Sequence, residues 1–231
     1  MNDKRINVGN ITLLEIGGAW IAEDTVLGNN AIIFPGAVLG RPPVSTKFQI
    51  KKTEGASLPP LIIGDNCVIG ANVVIYRGTI IGDDCLIGDT ACIREQVRIG
   101  NSCIIAMGVT INYNTTIGCR VKVMDNTHLT GNMTIEDDVF IAMHVSTAND
   151  NSMGREAALN VPLSLRKRQG PVIRRHATIG QGTCILPGLE IGENSIVGAN
   201  SVVTKPIPAR VLALGTPARV VRELREGEIK K

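Results

Sequence analysis

An aliphatic residue stands at every sixth position from Ile63 to Ile141. The same phase returns from Ile173 to Val203, and at Ile21, Leu27, Ile33 and Leu39. Four places after each lies a second register, small or β-branched in most repeats, as at Cys67, Val73, Thr79, Cys85, Ala91 and Val97. An amphipathic helix repeats at about 3.6 residues and cannot produce this pattern. Spacings of four and then two keep one parity, as inward positions on short strands do. Turn triplets such as Gly64-Asp65-Asn66 and Gly82-Asp83-Asp84 fill the gaps. The pattern predicts an all-β chain folded as a parallel β-helix, whose stacked coils share one core.

A longer period lies inside the six. Cys67, Cys85 and Cys103 are 18 residues apart, so one coil takes three hexads and the chain holds about eight coils. Stacked side by side on one inner wall, these thiols are expected to be buried, free and inert. Zinc-type Cys and His spacings are absent, and His128, His144 and His176 fall in three different registers, so no metal site is expected. Only 3% of the residues are aromatic against 44% hydrophobic, which fits a narrow interior filled by aliphatic side chains.

Two segments break the phase, about 41–60 and 148–170, and read as long loop insertions. The β-helix domain is expected over 1–215. The tail 216–231 is expected to be a short C-terminal helix, with Thr216 as its cap and Pro217 in its first turn. A net charge of +3 gives no reason to expect nucleic acid as a partner. No apolar run is long enough for a membrane span, and the first ten residues lack the apolar core of a signal peptide, so a cytoplasmic location is expected.

Three hexads give three corners per coil. The first reads GDN, GDD, GNS, GCR and EDD; the second GAN, GDT, AMG, MDN and AMH. The third reads Tyr76-Arg77-Gly78, Arg94-Glu95-Gln96, Asn112-Tyr113-Asn114, Thr130-Gly131-Asn132 and Ala148-Asn149-Asp150. There, glycine does not follow the aliphatic residue. Glycine suits tight corners with positive φ, so its replacement implies that side chains are wanted at this edge. They would serve either as a site or as packing against a neighbouring subunit. If no strand is skipped, both insertions leave from this third corner, after Leu39 and after Thr147.

The ending ILPGLEIGENSIVGANSVVTKPIPARVLALGTPARVV resembles the last coils of the hexapeptide-repeat acyltransferases. The stretch IEDDVFIAMHVSTANDN is similar to the bacterial sugar-nucleotide N-acetyltransferases of surface polysaccharide synthesis, including lipopolysaccharide O-antigen. The first insertion followed by NVVIYRGT also resembles the UDP-N-acetylglucosamine acyltransferases of lipid A synthesis, although the chain lacks a helical domain of their size. The resemblance implies a left-handed β-helix and a homotrimer that uses acetyl-CoA or another acyl-CoA. It implies acylation of the amino group of a dTDP- or UDP-linked amino sugar. Other readings are an O-acetyltransferase on a small alcohol or sugar, or a non-catalytic scaffold.

Under that resemblance the catalytic candidates are Asn149, Glu95 and His144. Asn149 would polarise the thioester carbonyl or orient a sugar hydroxyl, and Glu95 would take the ammonium proton. His144 would act as a base from a neighbouring subunit. Many relatives carry His after the loop Asn; here Asp150 follows Asn149, a departure that points to direct attack by the amine. Substrate contacts are expected from Asn112, Tyr113, Asn114, Asn132 and Asp150, with Arg77 and Arg94 on a diphosphate. Arg166, Lys167, Arg168, Lys205 and Arg219 are expected to meet the phosphates of coenzyme A.

Overall fold

The computed structural model describes residues 5–8, 11–44, 58–155, 159 and 168–230. Three sheets of short strands form the walls of a prism, with 11, 8 and 10 strands. Sheet A takes the strands that contain Leu39, Ile75, Ile93, Ile111, Leu129, Thr147, Ile185 and Val203. Sheet B begins at Val26–Leu27 and sheet C at Ile32–Ile33. The pairing is parallel and in register: Ile81 opposes Ile99, and Ile99 opposes Ile117, one coil apart. The 8-stranded wall, which has no antiparallel additions, counts the coils of this left-handed β-helix.

Both sequence registers point inward. Ile69, Ile75, Ile87, Ile93, Ile105 and Ile111 are fully buried, as are Cys67, Val73, Val97 and Val109. Each such aliphatic side chain contributes roughly 1.5–3 kcal/mol relative to exposure. Cys67, Cys85 and Cys103 are free and buried. Their Sγ atoms donate to the carbonyls of Gly82, Gly100 and Gly118 in the next coil at 3.1, 3.2 and 3.1 Å. Burial pushes the Cys67 thiol up; at Cys85 the hydrogen bond with Cys103 and burial both do so.

The corners correct one expectation. The left-handed residue of a corner is its third, as at Asn66, Asp84, Ser102 and Arg120 (φ 55, 57, 58 and 58°), and not the glycine that follows the aliphatic residue. That glycine is required by close approach. A Cβ at Gly82 would lie 2.1 Å from Asn101 Oδ1, the atom that accepts a hydrogen bond from the Asp83 N–H at 3.1 Å. The same ladder joins Asp65 N–H to Asp83 Oδ1 at 2.8 Å and Cys119 N–H to Asp137 Oδ1 at 2.9 Å. The third corner, with Tyr76, Arg94, Asn112 and Thr130 in the place of that glycine, carries no Asp ladder of this kind among the described residues.

The two ends depart from the repeat. Arg5–Val8 and Ile11–Ile16 add antiparallel strands ahead of Ala19–Ala22, and Gly17-Gly18, both with positive φ, make the tight turn between the last two. The tail is mostly a strand, where a helix is expected from Thr216. Ala218–Glu223 pairs antiparallel with Val211–Gly215 at the edge of sheet C, and only Glu226–Glu228 forms a single 3₁₀ turn. The β-branched pair Val220-Val221 and an open sheet edge outweigh the Thr-Pro helix signal, so Pro217 sits in the connecting turn.

Gly82→Ala is expected to lower stability by about 1–3 kcal/mol, since overpacking against Asn101 also strips a backbone hydrogen bond. Gly227→Ala, with nothing within 4 Å of its added Cβ, is the control and should change stability by less than about 0.5 kcal/mol. Thermal denaturation of both variants checks this.

Candidate functional site

Both insertions do leave from the third corner. The chain quits sheet A at Arg41 and enters sheet B at Ile62; it quits again at Thr147 and returns at Val172. Between them the corner residues stack coil upon coil. At the first insertion Arg77 is 3% exposed. Its Nη1 and Nη2 donate to both oxygens of Asp24 at 2.8 and 2.7 Å, and its Nε and Nη2 reach the Leu58 carbonyl at 3.3 and 3.2 Å. Arg77 therefore ties the return of the insertion to the first coil, which leaves it unsuited to the diphosphate role expected of it. Its hydrogen bond holds the Asp24 carboxyl below the usual value, against the opposing effect of burial.

One coil on, Arg94 grips its own neighbour: Nε and Nη2 donate to Glu95 at 2.8 and 3.2 Å. Glu95 is 1% exposed. Burial works to lower the Arg94 guanidinium, and Glu95 more than offsets it. The Tyr76 ring lies against two guanidinium groups, Arg41 at 4.6 Å and Arg94 at 5.0 Å. As a proton acceptor Glu95 competes with Arg94, and it is inaccessible unless Arg94 moves.

Further along, hydrogen bonds run across coils. Asn114 Nδ2 donates to Asn132 Oδ1 at 2.8 Å, and Asn132 Nδ2 donates to the Arg168 carbonyl at 2.8 Å. The Tyr113 ring covers residue 131, where a Cβ would lie 2.8 Å from it, so this rung must be Gly131. Asn149 Nδ2 donates to the Gly131 carbonyl at 3.0 Å. The Asn149 carbonyl accepts from Gln169 N–H at 3.1 Å, and Gly188 N–H reaches Gln169 at 2.9 Å. Gln169 thus replaces the rung that the second insertion displaces. Asp150 closes the neck of that insertion. It accepts from the N–H groups of Ser152 and Gly154 at 2.8 and 3.0 Å and forms an ion pair with Arg168. Asn149 Oδ1 and the Asn112 amide have no hydrogen-bond partner among the described residues.

His144 is exposed at the second corner with φ 57°. The extended run Val145–Thr147 separates it from Asn149, roughly 15 Å at strand spacing, so the two cannot meet one acyl group from the same chain. His128, to which the sequence pattern assigns no role, stands outward on sheet A, two residues before the third corner. Its Nδ1 lies 2.7 Å from Thr110 Oγ1, with Ser146 on the next rung. Desolvation pulls its imidazole down. The 18-residue step Thr110, His128, Ser146 is the signal that could have found it. Lys205 is exposed at the third corner of the last coil, on the same edge as Arg168. Arg219 is exposed on the closing hairpin, whose turn docks on Ser201 at the second corner, so it lies across sheet A from them. Arg166 and Lys167 lie outside the described residues. Among the described residues no three His, Cys, Asp or Glu side chains converge as metal ligands, and no helix is long and apolar enough to cross a membrane.

This three-walled stack with one polar, insertion-bearing edge defines a left-handed parallel β-helix of the hexapeptide type. Residues 60–89 match the hexapeptide repeat of succinyl-transferase, and residues 78–113 and 170–205 match the bacterial transferase hexapeptide of six repeats. Residues 60–113 and 170–205 thus resemble the hexapeptide repeats of bacterial transferases. The galactoside O-acetyltransferase of Lactococcus lactis is 37% identical over 106 residues, 43% of this chain and 51% of its own. That of Escherichia coli is 37% identical over 123 residues, 47% of this chain and 57% of its own. The chain spans about half the length of the curated relatives it matches. The structure of LpxA, a UDP-N-acetylglucosamine acyltransferase from Bacteroides fragilis, shares the fold, with a TM-score of 0.70 over 90% of this chain and 74% of that one at 18% identity.

Arg77→Gln is expected to cost about 2 kcal/mol at neutral pH, less than a fully buried pair because Asp24 is half exposed. A depressed carboxyl contributes stability that is present above its unfolded value of about 3.9 and lost as pH falls through the folded value. The gap between variant and wild type should therefore narrow below about pH 4. Urea unfolding at neutral and acid pH reads both.

Proposed function

We propose that the protein transfers an acyl group from an acyl-CoA thioester to the amino group of a nucleotide-linked amino sugar. One observation supports an amine acceptor: the carboxylates at the third corner are already ion-paired, Asp24 with Arg77, Glu95 with Arg94 and Asp150 with Arg168. A hydroxyl needs a base at the moment of attack, whereas a neutral amine attacks a thioester with its own lone pair. The C–N bond forms, the C–S bond breaks, and the departing thiolate takes up the proton that nitrogen releases. Asn149, with its oxygen free, orients the acceptor, and its second amide proton faces the developing oxyanion. Asn112 is open to the sugar. Lys205 and Arg219, both exposed, suit the phosphates of coenzyme A.

A homotrimer built around sheet A supports this reading. The outward rungs of that wall, Val74, Cys92, Thr110, His128, Ser146, Cys184 and Val202, carry no acidic, Lys or Arg side chain, while sheets B and C carry Arg98, Glu190 and Lys122. Packing sheet A inward brings the second corner of one subunit, with His144, against the third corner of the next. Light scattering is expected to give three chains per particle, and a monomer at working concentration would remove this part of the reading.

A second reading, O-acetylation of a sugar hydroxyl, is favoured by the galactoside O-acetyltransferase relatives and by the His128 imidazole, paired with Thr110 beside the corner. Release of free thiol from acetyl-CoA, measured with a dTDP- or UDP-amino sugar and with a galactoside, decides between them. The amino sugar is expected to turn over. Asn149→Ala should reduce that turnover roughly 10²-fold with little loss of stability. His144→Asn should cost less than about tenfold; a loss of roughly 10²–10⁴ would mark it as the general base and overturn the unassisted mechanism.

A further inference from the structure

A cleft of about 490 Å³ lies between the first corner and the outer face of sheet C. In the triangular section this face is opposite the third corner, so the cleft is separate from the acyl-transfer edge. Its walls follow from the stacking. Arg120, Asp138 and His176 are the left-handed third residues of the first corner in successive coils, with φ 58, 61 and 61°. Two residues further on, Lys122, Phe140 and Thr178 are successive outward rungs of sheet C. Lys230 closes the open end. Its N–H donates to Asn194 Oδ1 at 2.9 Å, and its ammonium donates to Thr178 Oγ1 at 3.2 Å.

The charges within the cleft are unbalanced. Arg120 is answered by Asp138, with Nε and Nη2 both at 2.7 Å. Asp137 lies 3.7 Å from both Arg120 and Arg175. Lys122 and Lys230 have no ion pair among the described residues. Burial lowers the Lys230 ammonium; Asp138 opposes this, and Lys122, the smallest of the three influences, lowers it further. His176 Nδ1 is buried with no hydrogen-bond partner among the described residues, a destabilising arrangement for a polar atom. Phe140 supplies an apolar floor between the two lysines.

We infer that this cleft binds a phosphate group, seated between Lys122 and Lys230 and beside the Thr178 hydroxyl and His176. Two ammonium groups and a hydroxyl suit a tetrahedral oxyanion. The phosphate is either free or the monoester of a nucleoside whose ring lies on Phe140.

Isothermal titration of the full chain with inorganic phosphate and with uridine monophosphate tests this. Binding at any site for the thioester's own phosphates does not depend on Lys122, so the Lys122 variant separates the two. One phosphate site per chain is expected, weakened by added salt and weakened at least about tenfold in Lys122→Ala and in Lys230→Ala. Lys122 is exposed on a rigid rung, so its variant folds even if loss of Lys230 frees the tail. Tighter binding of the monophosphate, abolished by Phe140→Thr, assigns a nucleotide; equal binding assigns free phosphate. Failure of either ligand to bind at about 10 mM, or unchanged affinity in Lys122→Ala, overturns the inference.

Discussion

The fold depends on inner side chains standing in register, one coil upon the next. A coil of three two-residue strands buries almost nothing alone; its Ile, Val and Cys are covered only by the coils above and below. The same register satisfies the backbone, since nearly every strand N–H finds a carbonyl in the adjacent coil, as Ile80 does on Val97 and Arg98 on Thr115. Burial and hydrogen bonding thus impose a single requirement, which is why the period is held so strictly.

That requirement leaves the corners unequal. At the first corner Asp and Asn side chains cap the backbone of the coil below, and the residue in between shrinks to glycine. The third corner is freed from this device. It holds Arg94 and Glu95, which pair with each other, and Tyr113 and Asn149, whose side chains reach residue 131 one rung away. Each rung there still supports the stack. Tyr113 lies on Gly131, Asn149 holds the Gly131 carbonyl, and Asn132 holds the return of the second insertion. Few polar groups of the corner are left without a partner among the described residues, chiefly Asn149 Oδ1 and the Asn112 amide.

The core was legible in the sequence because its signal is local and repeated. An aliphatic every sixth residue, with a smaller one four places on, allows no other fold. The edge bearing both insertions was legible for the same reason, since counting hexads gives the corner. The ends were not. Ile11–Ile16 lies ahead of the six-residue repeat and pairs antiparallel on both sides, and the tail answers to an open sheet edge that no local pattern reveals. Arg77 was misread because its partner, Asp24, lies 53 residues away, outside any repeat. His128 was missed because it stands on a strand, where outward residues were read as surface.

Insertion at one corner is the least disruptive way to vary such a solenoid. The chain departs after Thr147 and re-enters at Val172, yet Ser146 still opposes Cys184 and Thr134 still opposes Val172, so the stack resumes without a slip. The closure cost of a loop grows only with the logarithm of its length, about 0.6 kcal/mol per doubling. Part of that cost is recovered at the neck, where Asp150 meets Arg168 and Asn132 holds the Arg168 carbonyl. Change within the loops is therefore nearly uncoupled from the core. Both insertions fall on the edge that already lacks the glycine ladder, so the residues that vary and the residues that bond are stacked on the same line.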